Sequence, residues 1–247
     1  MTYNREGRPT QHPIEPTPIT SSPDSTRSTS TPAGVEACAH PGCVCGCTAG
    51  WQTIPNAITI VRTVASVALA MAGLAQGDQA LLVIAYVVYI VGDVLDGLLA
   101  RVLRQETRGG ATFDIISDRV CAVPIFLGWV ATEPGTALAV GIWLVGFAGV
   151  DLALSLGFRS WPLRGVGGFE FVDRALYRWN FTPVAKGLNS SVFIGLLVLL
   201  PTTIPAVIAA MFSLGIKSWS TVRLARLMEG APGYACLTRD GEPRLAA

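Results

Sequence analysis

Charge is scarce in this sequence: Asp, Glu, Lys and Arg make up 14% of its 247 residues, where a soluble domain carries about 25%. Hydrophobic residues reach 51% and the mean hydropathy is +0.48. An ordinary soluble domain is excluded, and a membrane protein is predicted. Net charge is only +1, so no field of either sign is there to recruit nucleic acid. No disulfide framework spans the six cysteines: Cys38, Cys43, Cys45 and Cys47 crowd together, Cys121 lies in an apolar run and Cys236 near the end. No apolar run opens the chain either. The first begins near Ile58, behind a long polar stretch, and no cleaved secretory signal is expected.

Large apolar side chains are almost missing from residues 1 to about 36, which are rich in Pro, Ser and Thr. Ordering such a segment costs backbone entropy with little burial to offset it. A disordered polar tail is therefore expected over residues 1–53, its last part carrying the Cys cluster, His40 and Trp51. The cluster lacks the paired C-x2-C spacing of a zinc module, and lipidation, redox chemistry or no role all stay open.

What is present is apolar and periodic in length. Runs near 57–75, 80–103, 111–132, 136–157, 184–200 and 203–220 each approach the ~20 residues that cross the hydrocarbon at about 1.5 Å per residue. The reading is all-α: a bundle of six transmembrane helices over residues 54–228, followed by a C-terminal tail at 229–247. Pro201 and Pro205 interrupt the last two runs. Lys and Arg are absent from the connections Gly77–Gln79, Glu133–Gly135 and Pro201–Thr203, and fill the alternate ones. Because basic residues prefer the cytoplasmic flanks, both termini are expected in the cytoplasm.

The second run ends with Asp93, Asp96, Gly97, Ala100 and Arg101, and the third opens with Gly110, Asp114 and Asp118. Spacings of three and four place each set on one helix face. An ionised carboxylate in a bilayer costs about 2.5 kcal/mol or more, so four of them need a compensating partner. A divalent cation fits. With no His or Cys nearby at ligand spacing, Mg²⁺ or Mn²⁺ suits this set better than zinc. Gly97, Ala100 and Gly110 leave room for a bulky ligand between helices, and Arg101 and Arg108 are placed to contact phosphate oxygens. Aspartates at helix ends that merely face water would account for Asp96 or Asp118 alone, not for four acids on two facing stripes.

The pattern Asp93-x2-Asp96-Gly97-x2-Ala100-Arg101-x8-Gly110-x3-Asp114-x3-Asp118 resembles the signature of the CDP-alcohol phosphatidyltransferase family at all its fixed positions. Pro55 to Arg62, with Asn56, Thr59 and Arg62, is similar to the family's entry segment. The resemblance implies a six-helix membrane fold, a homodimer, and a donor such as CDP-diacylglycerol. It implies that Asp93, Asp96, Asp114 and Asp118 contact the metals, that Asp118 is also the general base, and that CMP is released. Gly97, Ala100, Arg101 and Gly110 would line the substrate site. Arg62 is open to a substrate contact or to snorkelling, and Arg119 likewise. Lys186, where relatives often carry a basic residue, would bind an anionic acceptor.

The expected acceptor is glycerol 3-phosphate, as in a phosphatidylglycerophosphate synthase, with inositol phosphate, serine or another alcohol as alternatives. The expected location is a bacterial inner membrane with the site facing the cytoplasm. Rival readings are a cation transporter, disfavoured because the acids gather at one end of the helices, and a catalytically silent scaffold. The aromatic and basic segment Phe158–Phe181 reads as a loop at the membrane surface, with acceptor binding as the other possibility.

Overall fold

The structure is a computed structural model that describes residues 51–161, 163–229, 234–237 and 243–245; side chains are described for residues 51–229 except 162, 183 and 186–191. The sequence reading of residues 1–50 as a disordered tail with a Cys cluster lies outside the described residues.

Helix α1 (Ile54–Gln76) starts where Thr53 accepts a hydrogen bond from the Asn56 N–H and Pro55 occupies the first turn, both favourable at a helix N-terminus. It stops at Gly77, whose φ of 65° puts it in the left-handed region that glycine enters without penalty. Asp78 then caps α2 (Gln79–Val102), accepting from the N–H groups of Ala80 and Leu81. Such a short connection forces α1 and α2 into an antiparallel pair. Thr107 caps α3 (Arg108–Thr132) through the Gly110 N–H. These three helices share a core of Ala70, Ala85, Tyr89, Cys121 and Ile125.

The fourth span, Pro134–Ser160, is composite. It runs through α4 (Ala137–Leu144), a π-helical turn at Val145–Val150 and α5 (Asp151–Leu156). Two short helices follow, α6 (Phe169–Val172) and α7 (Arg174–Asn180), then α8 (Pro183–Leu199) and α9 (Ile204–Glu229). Beyond α9, the strands β1 (Tyr234–Leu237) and β2 (Pro243–Leu245) pair antiparallel.

Among the described residues five segments are long and apolar enough to cross a membrane: α1, α2, α3, Pro134–Ser160 and α9. The remaining expected span, the fifth, at 184–200, corresponds to α8, which has 17 residues. The last helix runs nine residues beyond its expected end at 220, reaching Glu229. Lys217 is buried in its interior at 7% exposure.

Polarity is inverted relative to a soluble bundle. Val61, Val64, Val87, Leu138, Ile208 and Phe212 are exposed, while Asn56, Thr59, Arg62, Ser66, Asp96, Arg119, Asp151 and Lys217 are buried. An outer face of this kind matches lipid rather than water. The Phe158–Phe181 segment is no plain surface loop. Phe158, Leu163, Phe169 and Leu176 are fully buried and pack with Ile115 of α3 and Leu224 of α9, because its apolar residues have a helix face on each side to bury against.

Candidate active site

Helices α2 and α3 bring three carboxylates together: one oxygen from each of Asp93, Asp114 and Asp118 lies within 4.8 Å of the others. Asp96 stands apart from this group. Its Oδ2 accepts from Thr59 Oγ1 at 2.6 Å and from Arg62 Nε at 2.8 Å, and the residue is 3% exposed.

Arg62 is the counter-ion of all four acids. Its Nη2 lies 2.5 Å from Asp114, 3.0 Å from Asp118 and 3.5 Å from Asp93, and its guanidinium carbon lies 5.6 Å from the centre of the Tyr89 ring. This placement depends on Gly92, since a Cβ there would collide with the Arg62 side chain. Snorkelling toward the headgroups is thereby excluded for Arg62. It does not line the substrate-sized cavity described below.

Asp118 is gripped on its other oxygen as well, with Arg119 Nη1 3.6 Å from Oδ2. Arg119 in turn pairs with Asp151 of α5, and Asp151 pairs with Lys217 of α9. Five carboxylates thus face three cations in this connected set, an excess of two negative charges. Excess negative charge on converging carboxylate oxygens fits a hard divalent cation. Asp118 is ten residues into the 25-residue α3, about 15 Å along its axis.

Beside the carboxylates opens a cavity of about 790 Å³, lined by Asn56, Thr59, Asp93, Asp96, Gly97, Ala100, Arg101, Gly110 and Asp114. Gly97, Ala100 and Arg101 of α2 and Gly110 of α3, expected to meet substrate, are here, with Asn56 and Thr59 from α1. Their roles differ in detail. A Cβ on Gly97 would meet nothing closer than Arg101 at 3.8 Å, so that glycine does leave open space. A Cβ on Gly110 would lie 2.7 Å from Asn56 Oδ1, so its smallness serves the packing of Asn56. Asn56 itself donates to the Trp51 carbonyl at 2.9 Å. Lys186 falls in α8, and its side chain lies outside the described residues.

The opposite wall was not foreseen as a wall. Arg164 to Gly168, Phe171, Tyr177 and Phe181 complete the cavity, so the Phe158–Phe181 segment roofs the site. Arg108, a candidate phosphate contact, instead donates to the carbonyls of Arg159 and Trp161 at 2.9 and 3.2 Å and holds this segment down. Asp173 holds it at the other end, accepting from the Leu176 N–H at 2.9 Å and from Arg223 Nε at 2.7 Å. Burial alone would push the Asp173 carboxyl up; these bonds outweigh it and hold the group below its ordinary value. A signal for the buried Asp151 existed: it is the one charge in an otherwise apolar run at 136–157, and an intramembrane ionisable residue is a functional candidate by default.

Apolar-faced helices that enclose converging carboxylates and a polar cavity mark an integral membrane protein with a candidate site inside its bundle. Residues 52–214 match the family model described as CDP-alcohol phosphatidyltransferase. The chain belongs to that family, whose members transfer a phosphatidyl group from a CDP-alcohol and depend in general on divalent metal. Membership speaks against the cation-transporter reading. Comparison with curated proteins gave no match, and neither did comparison with solved structures.

Proposed function

We propose that the protein transfers the phosphatidyl group of CDP-diacylglycerol to glycerol 3-phosphate and releases CMP. The observation that carries this reading is the convergence of Asp93, Asp114 and Asp118 beside a cavity large enough for a nucleotide. Arg101 and Arg164 in the same cavity suit the phosphates of donor and acceptor.

In this reading Asp93, Asp96, Asp114 and Asp118 hold Mg²⁺ or Mn²⁺, with Asp96 contributing more through its hold on Arg62. The metal, when bound, neutralises charge on the diphosphate. Asp118 accepts the proton of the acceptor hydroxyl as that oxygen bonds to the β-phosphorus. The bond from that phosphorus to the bridging oxygen breaks, and CMP leaves with the electron pair. Arg62 and Thr59 fix the carboxylates so that they need not reorganise as charge shifts. Gly97, Ala100 and Gly110 shape the cytidine and diphosphate pocket, and Lys186 meets the acceptor.

Six spans, with α8 as the fifth, put both termini and the cavity on the cytoplasmic side, in keeping with the Lys and Arg distribution. A homodimer in a bacterial inner membrane completes the proposal. It is tested by supplying purified protein with CDP-diacylglycerol and Mg²⁺ and adding glycerol 3-phosphate, inositol phosphate or serine singly. CMP release that requires glycerol 3-phosphate is expected; release with another alcohol would replace the acceptor, and none with any would favour a silent relative.

A further inference from the structure

Behind the carboxylates lies a second charged group that the reaction as described does not use. Asp151 of α5 pairs with Arg119 of α3 and with Lys217 of α9, and all three are buried, at 7%, 8% and 7% exposure. None of them lines the cavity. They sit inside the apolar spans Arg108–Thr132, Pro134–Ser160 and Ile204–Glu229, where ionised groups are costly unless they do something that apolar residues cannot.

Arg119 is fixed from several directions. Its Nη2 is taken by Asp151, its Nη1 donates to the Ile115 carbonyl at 3.0 Å, and its guanidinium carbon stands 4.4 Å from the centre of the Phe147 ring. Phe147 belongs to the π-helical turn Val145–Val150, which ends directly at Asp151. Turns of that kind occur often at functional sites because they re-aim the side chains that follow. The Nε of Arg119 is buried and has no partner among the described residues. A guanidinium held so firmly while one nitrogen goes unsatisfied is placed for its position, since packing alone would favour an apolar side chain.

Its remaining neighbour is Asp118, 3.6 Å from Nη1. The Oδ1 of Asp118 meets Arg62 at 3.0 Å and its Oδ2 faces Arg119. Each oxygen of the carboxylate thus has its own guanidinium, and Asp151 holds one of the two. We propose that Asp151 is a positioning residue for the transfer reaction: by holding Arg119 against α5 it fixes the place of Asp118, and Lys217 balances the charge this requires. The inference rests on the reading of Asp118 as the base.

With Asp151 removed, Arg119 loses its anchor and moves onto Asp118. Displacement of a reacting group by about 1 Å costs on the order of 100-fold. Asp151→Asn is therefore expected to lower kcat for acceptor-dependent CMP release by about that factor, with KM for CDP-diacylglycerol unchanged because the cavity wall is untouched. The paired variant Asp151→Asn with Lys217→Met removes one charge of each sign, so the burial balance is kept while Arg119 still lacks its anchor. It should melt like the wild type and keep the low kcat. Asp151→Glu keeps the charge and shifts the carboxylate by one methylene; it should fold and give an intermediate kcat. Wild-type kcat in the paired variant or in Asp151→Glu would overturn the inference, reducing Asp151 to a neutraliser of Lys217. The wild-type rate is a separate outcome: no CMP release from it sinks the transferase reading itself, whereas normal release with indifferent variants sinks only the role given to Asp151.

Discussion

Arg62 lies in the space that Gly92 leaves by having no side chain: a Cβ on that glycine would stand 2.6 Å from Arg62 Cδ. The glycine on α2 thus decides where a guanidinium on α1 can reach, and through it how four carboxylates are held.

Replacing Gly92 and Gly97 by alanine should therefore give opposite results. Both changes favour the helix by about 1 kcal/mol. At Gly92 overpacking against Arg62 opposes that gain at about 1–3 kcal/mol, so a net loss of stability is expected. At Gly97 there is open space, so the protein should hold or gain stability while KM for the CDP-lipid rises. Thermal unfolding in detergent and steady-state kinetics on both variants check this.

Arg62→Gln removes the shared counter-ion of buried acids, and breaking a buried pair in this way costs about 3–5 kcal/mol. A large fall in melting temperature is expected in the presence of a chelator. Addition of Mg²⁺ or Mn²⁺ should restore more stability to this variant than to the wild type. An equal response would show that the guanidinium and the cation do not share the same carboxylates.

Asp118→Asn keeps the shape of the side chain and removes the base. The expected outcome is a folded protein whose CMP release falls by about 100-fold or more. Near-normal turnover would remove Asp118 from that role.

The roof over the cavity should respond to acid. Asp173 has a carboxyl held below its ordinary value in the folded protein, so the stability it contributes is present above the unfolded value, about 3.9, and is lost as pH falls through the lower folded value. Amide exchange in α7, which Asp173 caps, should quicken below about pH 4 in the wild type. In Asp173→Asn it should be fast already at neutral pH and change little on acidification.

Much of the site could be read from the sequence because it is local. Asp93, Asp96, Gly97 and Ala100 fall on one helical face by spacing alone, and α3 repeats the pattern with Gly110, Asp114 and Asp118. The boundaries of the first five spans followed from hydropathy for the same reason. What escaped depends on pairing between distant residues. Lys217 and Asp151 are 66 positions apart, and a charge in an apolar window reads as a helix end until its partner is known. The roof at Arg164 to Phe181 escaped because aromatic and basic residues suit a headgroup interface as well as a cavity wall; burial of Phe169 and Leu176 against α3 and α9 distinguishes the two. Gly110, read as ligand space, lines the cavity, and its lack of a Cβ also makes room for Asn56, a contact between α1 and α3 that spacing along the chain does not reveal.

The central claim is that the acids of α2 and α3 form a divalent-cation-dependent transfer centre. Its most direct measurement is CMP release from CDP-diacylglycerol in the presence of acceptor, first with a chelator and then with Mg²⁺ or Mn²⁺ restored, for the wild type and Asp114→Ala. The account predicts release by the wild type only with the cation, and none by Asp114→Ala in either condition. Release that persists in the chelator, or that survives loss of Asp114, would contradict it.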